Sequence, residues 1–336
     1  IFFGNNYMKN IFGTDGIRSE INIPPMTAEF VVRIALAAGR WFADNKNAKN
    51  PSLNPLVVIG KDTRLSGYML EAALVAGFTS IGMNCRLLGP VPTAAVSYLT
   101  HSMRADLGVM ISASHNLYMD NGIKLFGPNG LKLDDKIENE ISEMIEGSIV
   151  LSNPKNLGRA RRIVNSSSRY TEFTKSTFDQ SLSLNGLKIV IDCANGAAYK
   201  TAPETLYELG AEIYPIGVKP DGFNINDGCG ATCPQFMANN VVDFDADFGI
   251  SLDGDADRLI LSDENGKIYN GDQIIATLAV DMANKGILKS NVIGTQMSNL
   301  GLEEFLKKNK IGFFRTSVGD RYILEQLIKD NGTLGG

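Results

Sequence analysis

The chain has 336 residues, a hydrophobic share of 44% that is ordinary for a globular protein, and a formal net charge of −5. This length suits two or three domains, each with its own core. The mild negative charge, without a basic stretch interleaved with aromatic residues, argues against a nucleic-acid partner, and no apolar run approaches the roughly 18 residues of a membrane span. Four scattered cysteines favour a reducing cytoplasm over a disulfide-rich secreted protein.

The N-terminal residues 1–7 precede a natural-looking start at Met8. They lack the charged region and the long apolar region of a signal peptide. We therefore interpret them as an upstream extension or an addition made for expression.

A strand, a polar loop and a helix recur three times along the chain. The apolar runs at residues 56–60, 187–191 and 291–295 each predict a strand, and each is followed by a polar loop and a helical pattern. The first of these helices is expected to begin at Ser66, a good N-cap residue. Strands that alternate with helices are typical of parallel βαβ units, so we expect an α/β fold. It should consist of tandem domains of similar design, with mixed, mainly parallel sheets flanked by helices.

Two boundaries divide the predicted domains. Residues 152–158 follow an amphipathic helical pattern and are typical of a linker, and the second boundary is placed directly after Asp257. The third unit runs into a Gly-rich turn soon after a helical pattern, so we expect a partial third domain. The predicted domains are residues 8–156, 157–257 and 258–336.

Two similar predicted strands end in different polar loops. Residues 105–112 (Ala-Asp-Leu-Gly-Val-Met-Ile-Ser) are echoed by residues 246–253 (Ala-Asp-Phe-Gly-Ile-Ser-Leu-Asp). The first strand continues into Ala-Ser-His-Asn, which contains Ser114, and the second continues into Gly-Asp-Ala-Asp-Arg. A hydroxyl that can carry phosphate, facing a cation site, predicts a phosphoryl-transfer centre.

The acidic loop favours a hard metal ion. Asp253, Asp255 and Asp257 alternate after an apolar strand, and carboxylates this close repel one another unless a cation offsets their charge. Such oxygen ligands suit Mg²⁺ or Ca²⁺. An EF-hand is disfavoured because Arg258 stands where that loop requires glycine and because residues 259–261 predict a strand. The simpler alternative is a solvated turn that binds no ion.

The serine loop allows two other interpretations. Ser114 is followed by His115, but the surroundings are not Gly-x-Ser-x-Gly and no second histidine lies in a motif, so a Ser-His-Asp hydrolase is disfavoured. The polar residues could also merely satisfy a turn. Further along, Asn121-Gly122 predicts a tight turn that returns Lys124 on a short strand towards the serine. A lysine there could hold phosphate or assist proton transfer, although a surface lysine is the simpler alternative.

A third segment, residues 12–18, reads Phe-Gly-Thr-Asp-Gly-Ile-Arg. Its glycines permit close approach of the backbone to a ligand, and Arg18 suits phosphate oxygens. A turn with a structural salt bridge would explain the same residues.

Together these segments resemble the α-D-phosphohexomutase superfamily, over nearly the whole chain from Met8 onward. The matching stretches are residues 12–18, 61–67, 111–116 with 120–126, and 253–258. Within the superfamily, the Phe-Gly-Thr-Asp-Gly-Ile-Arg and Ile-Ser-Ala-Ser-His-Asn runs resemble the phosphoglucosamine mutase family. So do residues 318–322, Val-Gly-Asp-Arg-Tyr.

The resemblance implies a site and a reaction. Ser114 would carry a phosphoryl group, and one of its phosphate oxygens would join Asp253, Asp255 and Asp257 around one Mg²⁺. The substrate would be a phosphorylated hexosamine, glucosamine 6-phosphate, which is converted to glucosamine 1-phosphate for amino-sugar nucleotide and cell-wall precursor synthesis. A glucose or glucosamine bisphosphate would serve as activator or intermediate. A monomer or homodimer without nucleic-acid or membrane partners is expected.

The resemblance also implies roles for four further side chains. Lys124, His115 and Arg18 are candidates for transition-state contacts and proton movement, and Arg258 and Arg18 for binding of substrate phosphate. We favour Lys124 as the acid/base participant. It could act as a base only if burial or neighbouring cations lowered its pKa.

The sequence departs from the family pattern at three places. Ser19 stands where the family usually has glycine and Leu117 where it has proline, which should alter loop stiffness more than chemistry. After a Gly-Gly like that at residues 335–336, the family continues with a Glu-x-Ser-Gly-His sugar-binding loop and a fourth domain. The sequence contains neither, so we expect a C-terminally truncated form whose sugar specificity stays open.

Three other functions remain open. The chain could be a phosphomannomutase or phosphoglucomutase. It could be a Mg-dependent phosphatase with Asp253 as nucleophile, although such enzymes usually carry their Asp-x-Asp near the N-terminus. It could also be an inactive fragment that binds metal and takes phosphate on Ser114 without turnover.

Overall fold

The computed structural model describes residues 11–45 and 55–336. In this part of the chain, the secondary structure forms three successive α/β units. The first contains β1 (Ile17–Glu20), α1 (Ala28–Asp44), β2 (Leu56–Lys61), α2 (Gly67–Ser80), β3 (Asn84–Pro90), α3 (Thr93–Ser102), β4 (Leu107–Ile111), β5 (Asp120–Phe126), α4 (Asp135–Glu146), a 3-10 turn (Pro154–Asn156) and β6 (Ala160–Arg162).

The other two units are shorter. The second contains α5 (Ser166–Ser176), β7 (Lys188–Asp192), α6 (Thr201–Glu208), β8 (Glu212–Ile216), α7 (Pro234–Asp243), β9 (Phe248–Leu252), β10 (Leu259–Asp263) and β11 (Ile268–Tyr269). The third contains α8 (Gly271–Asn284), β12 (Val292–Thr295), α9 (Leu300–Lys308), β13 (Phe313–Thr316) and α10 (Asp320–Asp330). The predicted α/β class with tandem units is confirmed.

Each unit has its own sheet. Among the described strands, the orders are β1-β5-β4-β2-β3-β6, β11-β10-β9-β7-β8 and β12-β13. The central pairs β2–β4, β2–β3 and β7–β9 are parallel, whereas β4–β5 and β9–β10 are antiparallel. The sheets are therefore mixed, as predicted.

Strand β2 shows why the apolar runs form central strands. Val57 and Ile59 point into the cluster beneath α1 and α2, while Val58 between them joins a separate cluster beneath α3. Both faces of the strand are buried, which explains the uninterrupted apolar run. Each such side chain contributes roughly 1.5–3 kcal/mol when fully buried.

The sheet topology sets the position of the site. In the first sheet, the parallel neighbours β2 and β4 end at Lys61 and Ile111, directly before the segments that contain Arg64 and Ser114. In the second sheet, β9 ends at Leu252, directly before the acidic loop. Ligands of parallel α/β sheets bind at the carboxyl ends of the strands, and here the ends of two sheets meet.

The structure agrees with one local prediction, the return of Lys124 towards the serine loop, and differs from two others. Ser66 precedes α2, but its hydroxyl makes no N-cap hydrogen bond and instead accepts one from the Asn121 amide at 2.8 Å. The predicted tight turn at Asn121-Gly122 is wrong, because both residues lie inside β5. The chain reverses earlier, between Ser112 and Met119, and β5 still returns Lys124 opposite Met110 of β4.

Sheet pairing crosses both predicted domain boundaries. Strand β6, beyond residue 156, pairs with β3 in the first sheet. Strand β10, beyond Asp257, pairs with β9 in the second sheet. Met8, the predicted start of the first domain, and residues 1–7 lie outside the described residues. No helix in the described parts of the chain is long and apolar enough to cross a membrane.

Candidate active site

Ser114 lies in the connection between β4 and β5. Only 1% of the residue is exposed, and its backbone takes a left-handed conformation with φ of 51°. A serine in this conformation costs about 1 kcal/mol or more and persists only when the surroundings hold it. One such contact is the Ser114 amide, which donates to the Ser112 hydroxyl at 2.9 Å.

A buried ion pair fixes the backbone of this serine loop. Asp62 and Arg64, which follow β2, are paired with each other, and the Ser112 hydroxyl donates to Asp62 at 2.6 Å. The Arg64 guanidinium also donates to the Ser114 carbonyl at 3.2 Å and to the Asn116 carbonyl. Because these groups are buried, their mutual hydrogen bonds hold the loop in one geometry.

The acidic loop faces the serine. Asp253, Asp255 and Asp257 each offer a carboxylate oxygen, and these oxygens lie within 4.8 Å of one another. The Ser114 hydroxyl donates to Asp253 Oδ2 at 2.6 Å. The sequence prediction that these four residues meet is therefore supported by their positions.

The acidic residues have the properties of a hard-cation site. Burial, followed by the charges of Asp255 and Asp257, raises the pKa of Asp253 to about 7. The buried Oδ1 of Asp255 has no hydrogen-bond partner among the described residues. Three clustered carboxylates with an unpaired inward oxygen fit a divalent cation such as Mg²⁺, which would offset their repulsion.

The serine loop and the acidic loop meet backbone to backbone. A Cβ atom placed on Gly254 would lie 2.6 Å from the Ser114 carbonyl oxygen, which is too close for any side chain at this position. The side chain of Asn226 spans the same contact and donates to the carbonyls of Ser114 and Asn116 at 2.9 and 2.8 Å. These contacts fix the distance between the serine and the carboxylates.

Lys124 lies beneath the acidic loop with 1% of its side chain exposed. Its Nζ is 2.8 Å from Asp255, 3.1 Å from Asp257 and 2.9 Å from Asp15. Burial acts to lower the pKa of Lys124, but these three carboxylates outweigh it and raise the pKa above its usual value. The lowered pKa that a base role would need is not found, and the geometry favours the charged ammonium form.

His115, Arg18 and Arg258 are less enclosed. His115 is half-buried, and burial, followed by the charges of Arg258 and Arg18, lowers its pKa. Arg18 is paired with Asp15. The Arg258 backbone amide donates to Asp253 at 3.2 Å, while its exposed guanidinium makes no hydrogen bond or ion pair within residues 11–45 and 55–336.

Asp253 is poorly placed to act as a phosphatase nucleophile. Its Oδ2 accepts from the Ser114 hydroxyl, and its Oδ1 accepts from the backbone amides of Asp257 and Arg258 at 3.1 and 3.2 Å. Both oxygens are thus engaged in a buried network. This arrangement disfavours the phosphatase alternative.

Three site residues were not singled out from the sequence. Thr93 donates to Asp255 Oδ2 at 2.6 Å, and the Asn226 side chain donates to the Ser114 carbonyl. Asp15 forms an ion pair with Lys124. Asp15 had a signal, since it lies between the glycines of residues 12–18. Thr93 and Asn226 had none, because their roles depend on which loops meet in the folded chain.

Similarity to known proteins follows the same three units. Residues 9–149, 168–266 and 270–336 match the families described as phosphoglucomutase/phosphomannomutase alpha/beta/alpha domains I, II and III, respectively. A solved structure of a phosphoglucomutase/phosphomannomutase family protein from Burkholderia thailandensis superposes with a TM-score of 0.82. It is 22% identical and the match covers 97% of this chain and 70% of that one, so it supports the fold alone.

Two bacterial phosphoglucosamine mutases are much more similar in sequence. The protein of Phenylobacterium zucineum (strain HLK1) is 55% identical over 328 residues, which are 97% of this chain and 72% of that protein. The protein of Cereibacter sphaeroides (strain ATCC 17025 / ATH 2.4.3) is 56% identical over 98% of this chain and 72% of its own length.

Proposed function

This chain belongs to the phosphoglucosamine mutase family, and we propose that it interconverts glucosamine 6-phosphate and glucosamine 1-phosphate with Ser114 as the phosphate carrier. The observation that carries the role of Ser114 is its 2.6 Å hydrogen bond to Asp253 at the edge of the acidic cluster. A hydroxyl so close to a cation site can be phosphorylated with its new charge neutralised.

The reaction consists of two transfers in opposite directions. Phosphorylated Ser114 gives its phosphoryl group to the free hydroxyl at C1 of glucosamine 6-phosphate, so the bond from phosphorus to Oγ breaks and a bond to the sugar forms. The resulting bisphosphorylated sugar reorients. Ser114 Oγ then takes the phosphoryl group from C6, which restores the phosphorylated serine and releases glucosamine 1-phosphate.

Asp253, Asp255 and Asp257 would hold Mg²⁺, together with an oxygen of the phosphoryl group on Ser114. When bound, Mg²⁺ neutralises negative charge on the phosphoryl oxygens. The unpaired buried oxygen of Asp255 and the raised pKa of Asp253 support this assignment. A glucose or glucosamine bisphosphate would load the phosphate onto Ser114.

The cationic side chains divide into two groups. Lys124 lies behind the carboxylates, so its charge balances theirs, and as a proton donor it fits better than as a proton acceptor. Arg18 and Arg258 act electrostatically on His115 and are the candidates for contact with phosphate oxygens of the substrate. His115 itself is a candidate for proton movement at Ser114.

Conversion of the sugar phosphate tests the proposed function. Glucosamine 6-phosphate is incubated with the chain, Mg²⁺ and a catalytic amount of glucose 1,6-bisphosphate, and ³¹P NMR follows the 1-phosphate. We expect conversion by the unaltered chain and none by Ser114→Ala. Ser148→Ala, which alters an exposed serine, is the matched control.

Two outcomes would contradict the proposal. Conversion by Ser114→Ala at the unaltered rate would remove the serine from the mechanism. Faster turnover of mannose 6-phosphate or glucose 6-phosphate than of glucosamine 6-phosphate would assign the chain to another phosphohexomutase activity.

A further inference from the structure

Lys132 joins three segments outside the phosphoserine pocket. It lies between β5 and α4, and 13% of its side chain is exposed. Its Nζ contacts Oδ1 of Asp15, which lies in the loop before β1. The same Nζ is 2.6 Å from Oδ1 of Asp320, the first residue of α10. One ammonium therefore connects the first and third units.

Asp15 continues this connection to the active site. While its Oδ1 contacts Lys132, its Oδ2 contacts Arg18 and lies 2.9 Å from Lys124 Nζ. Lys124 is in turn 2.8 Å from Asp255. Charges thus alternate without interruption from the acidic cluster, through Lys124, Asp15 and Lys132, to α10.

The first turn of α10 makes further polar contacts with the first unit. Arg321 donates to the Leu133 carbonyl at 2.8 Å and pairs with Asp135 and with Glu138, the latter at 3.4 Å. Gly319 lies against the loop before β1, where its Cβ position is 4.0 Å from the Thr14 carbonyl oxygen. The two sequence motifs at residues 12–18 and 318–322 therefore meet in the fold.

These contacts are charged, so the position of α10 depends on ion pairs more than on a shared apolar core. Interfaces of this polar kind resemble transient ones and can re-form in more than one relative position. A cavity of about 750 Å³ lies beside them, and its lining includes Lys132, Asp320, Arg321 and Asp257 of the acidic cluster. The contact of Lys132 with Asp320 and the acidic cluster therefore border the same cavity.

On the basis of the proposed function, we propose that Lys132 is a positioning residue for phosphoryl transfer. Its ammonium holds the first turn of α10 against the Asp15 carboxylate, and this carboxylate orients Lys124. Without Lys132, Asp15 and Asp320 would face each other as like charges. Their repulsion would move α10 away and release Oδ1 of Asp15, so Lys124 would lose part of the contact that orients it beneath Asp255.

The test measures the rate of phosphate transfer from glucose 1,6-bisphosphate to Ser114, by rapid quench and intact mass. Lys132→Met keeps the length of the side chain but removes its charge, and we expect transfer to slow by about tenfold to a hundredfold, the range for small displacements of catalytic groups. Lys132→Arg keeps the charge and should restore most of the rate. The control is Lys136→Met, which alters a lysine with 84% of its side chain exposed.

A second variant separates positioning from simple stability. Asp320→Asn removes the partner on α10, and the combination with Lys132→Met should slow transfer no more than Lys132→Met alone, because both substitutions break one connection. Transfer by Lys132→Met at the unaltered rate would overturn the proposal. So would full additivity of the two substitutions.

Hydrogen exchange distinguishes failure of this proposal from failure of the proposed function. If the unaltered chain takes no phosphate onto Ser114, the phosphoserine mechanism fails. The contact of Lys132 with Asp15 and Asp320 is still tested by amide hydrogen exchange of residues 320–325. This exchange should become faster in Lys132→Met and stay unchanged in Lys136→Met. Unchanged exchange in Lys132→Met would overturn the role of Lys132 by itself.

Discussion

The first unit meets the second and the third in two different ways. At the contact with the second unit, the serine and acidic loops touch backbone to backbone, and both Ser114 and Asp253 are buried. At the contact with the third unit, Lys132 and Arg321 pair with carboxylates, among them Asp320, whose side chain is 65% exposed. The first contact is buried and direct, and the second is polar and partly solvated.

This difference fits what the proposed mechanism asks of each contact. In that mechanism, phosphoryl transfer requires Ser114 and the proposed cation site at a fixed separation, which buried hydrogen bonds provide. A sugar that reorients between two transfers needs room to turn, and a polar, partly solvated contact between units can re-form in more than one relative position.

The largest effect is expected from Asp255→Asn. The substitution removes one charge from the proposed Mg²⁺ ligands, so calorimetry should show affinity for Mg²⁺ reduced by about tenfold or more, while the chain stays folded. Asp245→Asn is the matched control, since Asp245 is fully exposed in the same unit. An unchanged affinity in Asp255→Asn would place the cation elsewhere.

The stability of the metal-free chain should fall as the pH rises from 5 to 8. Because the pKa of Asp253 is raised from 3.8 to about 7, the folded state binds a proton that the unfolded state has already lost in this range. The free energy of unfolding therefore decreases with pH through this window. Urea unfolding in EDTA measures the decrease, and saturating Mg²⁺ should reduce it. A decrease of equal size with and without Mg²⁺ would contradict the cation site.

Gly254→Ala should destabilise the buried contact by about 1–3 kcal/mol, the usual cost of overpacking. The added Cβ would meet the Ser114 carbonyl oxygen at 2.6 Å. Urea unfolding measures the loss. Gly271→Ala is the control, because nothing lies within 4 Å of its Cβ position. Equal effects of both substitutions would show that the two loops do not pack so closely.

The smallest effect on stability is expected from Asp320→Asn. The partly solvated ion pair that it breaks should contribute about 1 kcal/mol or less to the free energy of unfolding, because 65% of the Asp320 side chain is exposed. Added salt should likewise weaken the pair of Lys132 with Asp320 in the unaltered chain. Faster amide hydrogen exchange at the start of α10 would measure this weakening. If Asp320→Asn lowered the free energy of unfolding as much as Gly254→Ala, the contact of the first unit with the third would be as important for stability as its contact with the second.

The sequence predicted the buried contact better than the polar one. The serine and acidic loops were found because each follows an apolar strand, and residues at the carboxyl ends of parallel strands meet predictably. Lys132 gave no such signal. Asp320 lies in the run 318–322 that resembles the family, but nothing in the sequence joins it to Lys132, since their pairing depends on how two separate units pack. Asn226 is a single polar residue in a loop, and its hydrogen bond to the Ser114 carbonyl forms only when the chain folds.

The error at Asn121-Gly122 has a packing cause. A Cβ on Gly122 would lie 2.6 Å from the Ser112 carbonyl and 2.7 Å from the Ile17 carbonyl, so glycine is required there by neighbouring backbone and not by a turn. The same ambiguity affects any isolated Asn-Gly, because tertiary contacts can override turn preference. The role of Lys124 was likewise open until its carboxylate neighbours were located.

Mapping of the transferred phosphate identifies the side chain that carries it during the reaction. The chain is incubated with labelled glucose 1,6-bisphosphate and Mg²⁺, digested, and the labelled peptide is sequenced by mass spectrometry. We predict an acid-stable label on Ser114, absent from Ser114→Ala and present in Ser148→Ala. A hydroxylamine-sensitive label on Asp253, or no label on any residue, would rule out Ser114 as the phosphate carrier.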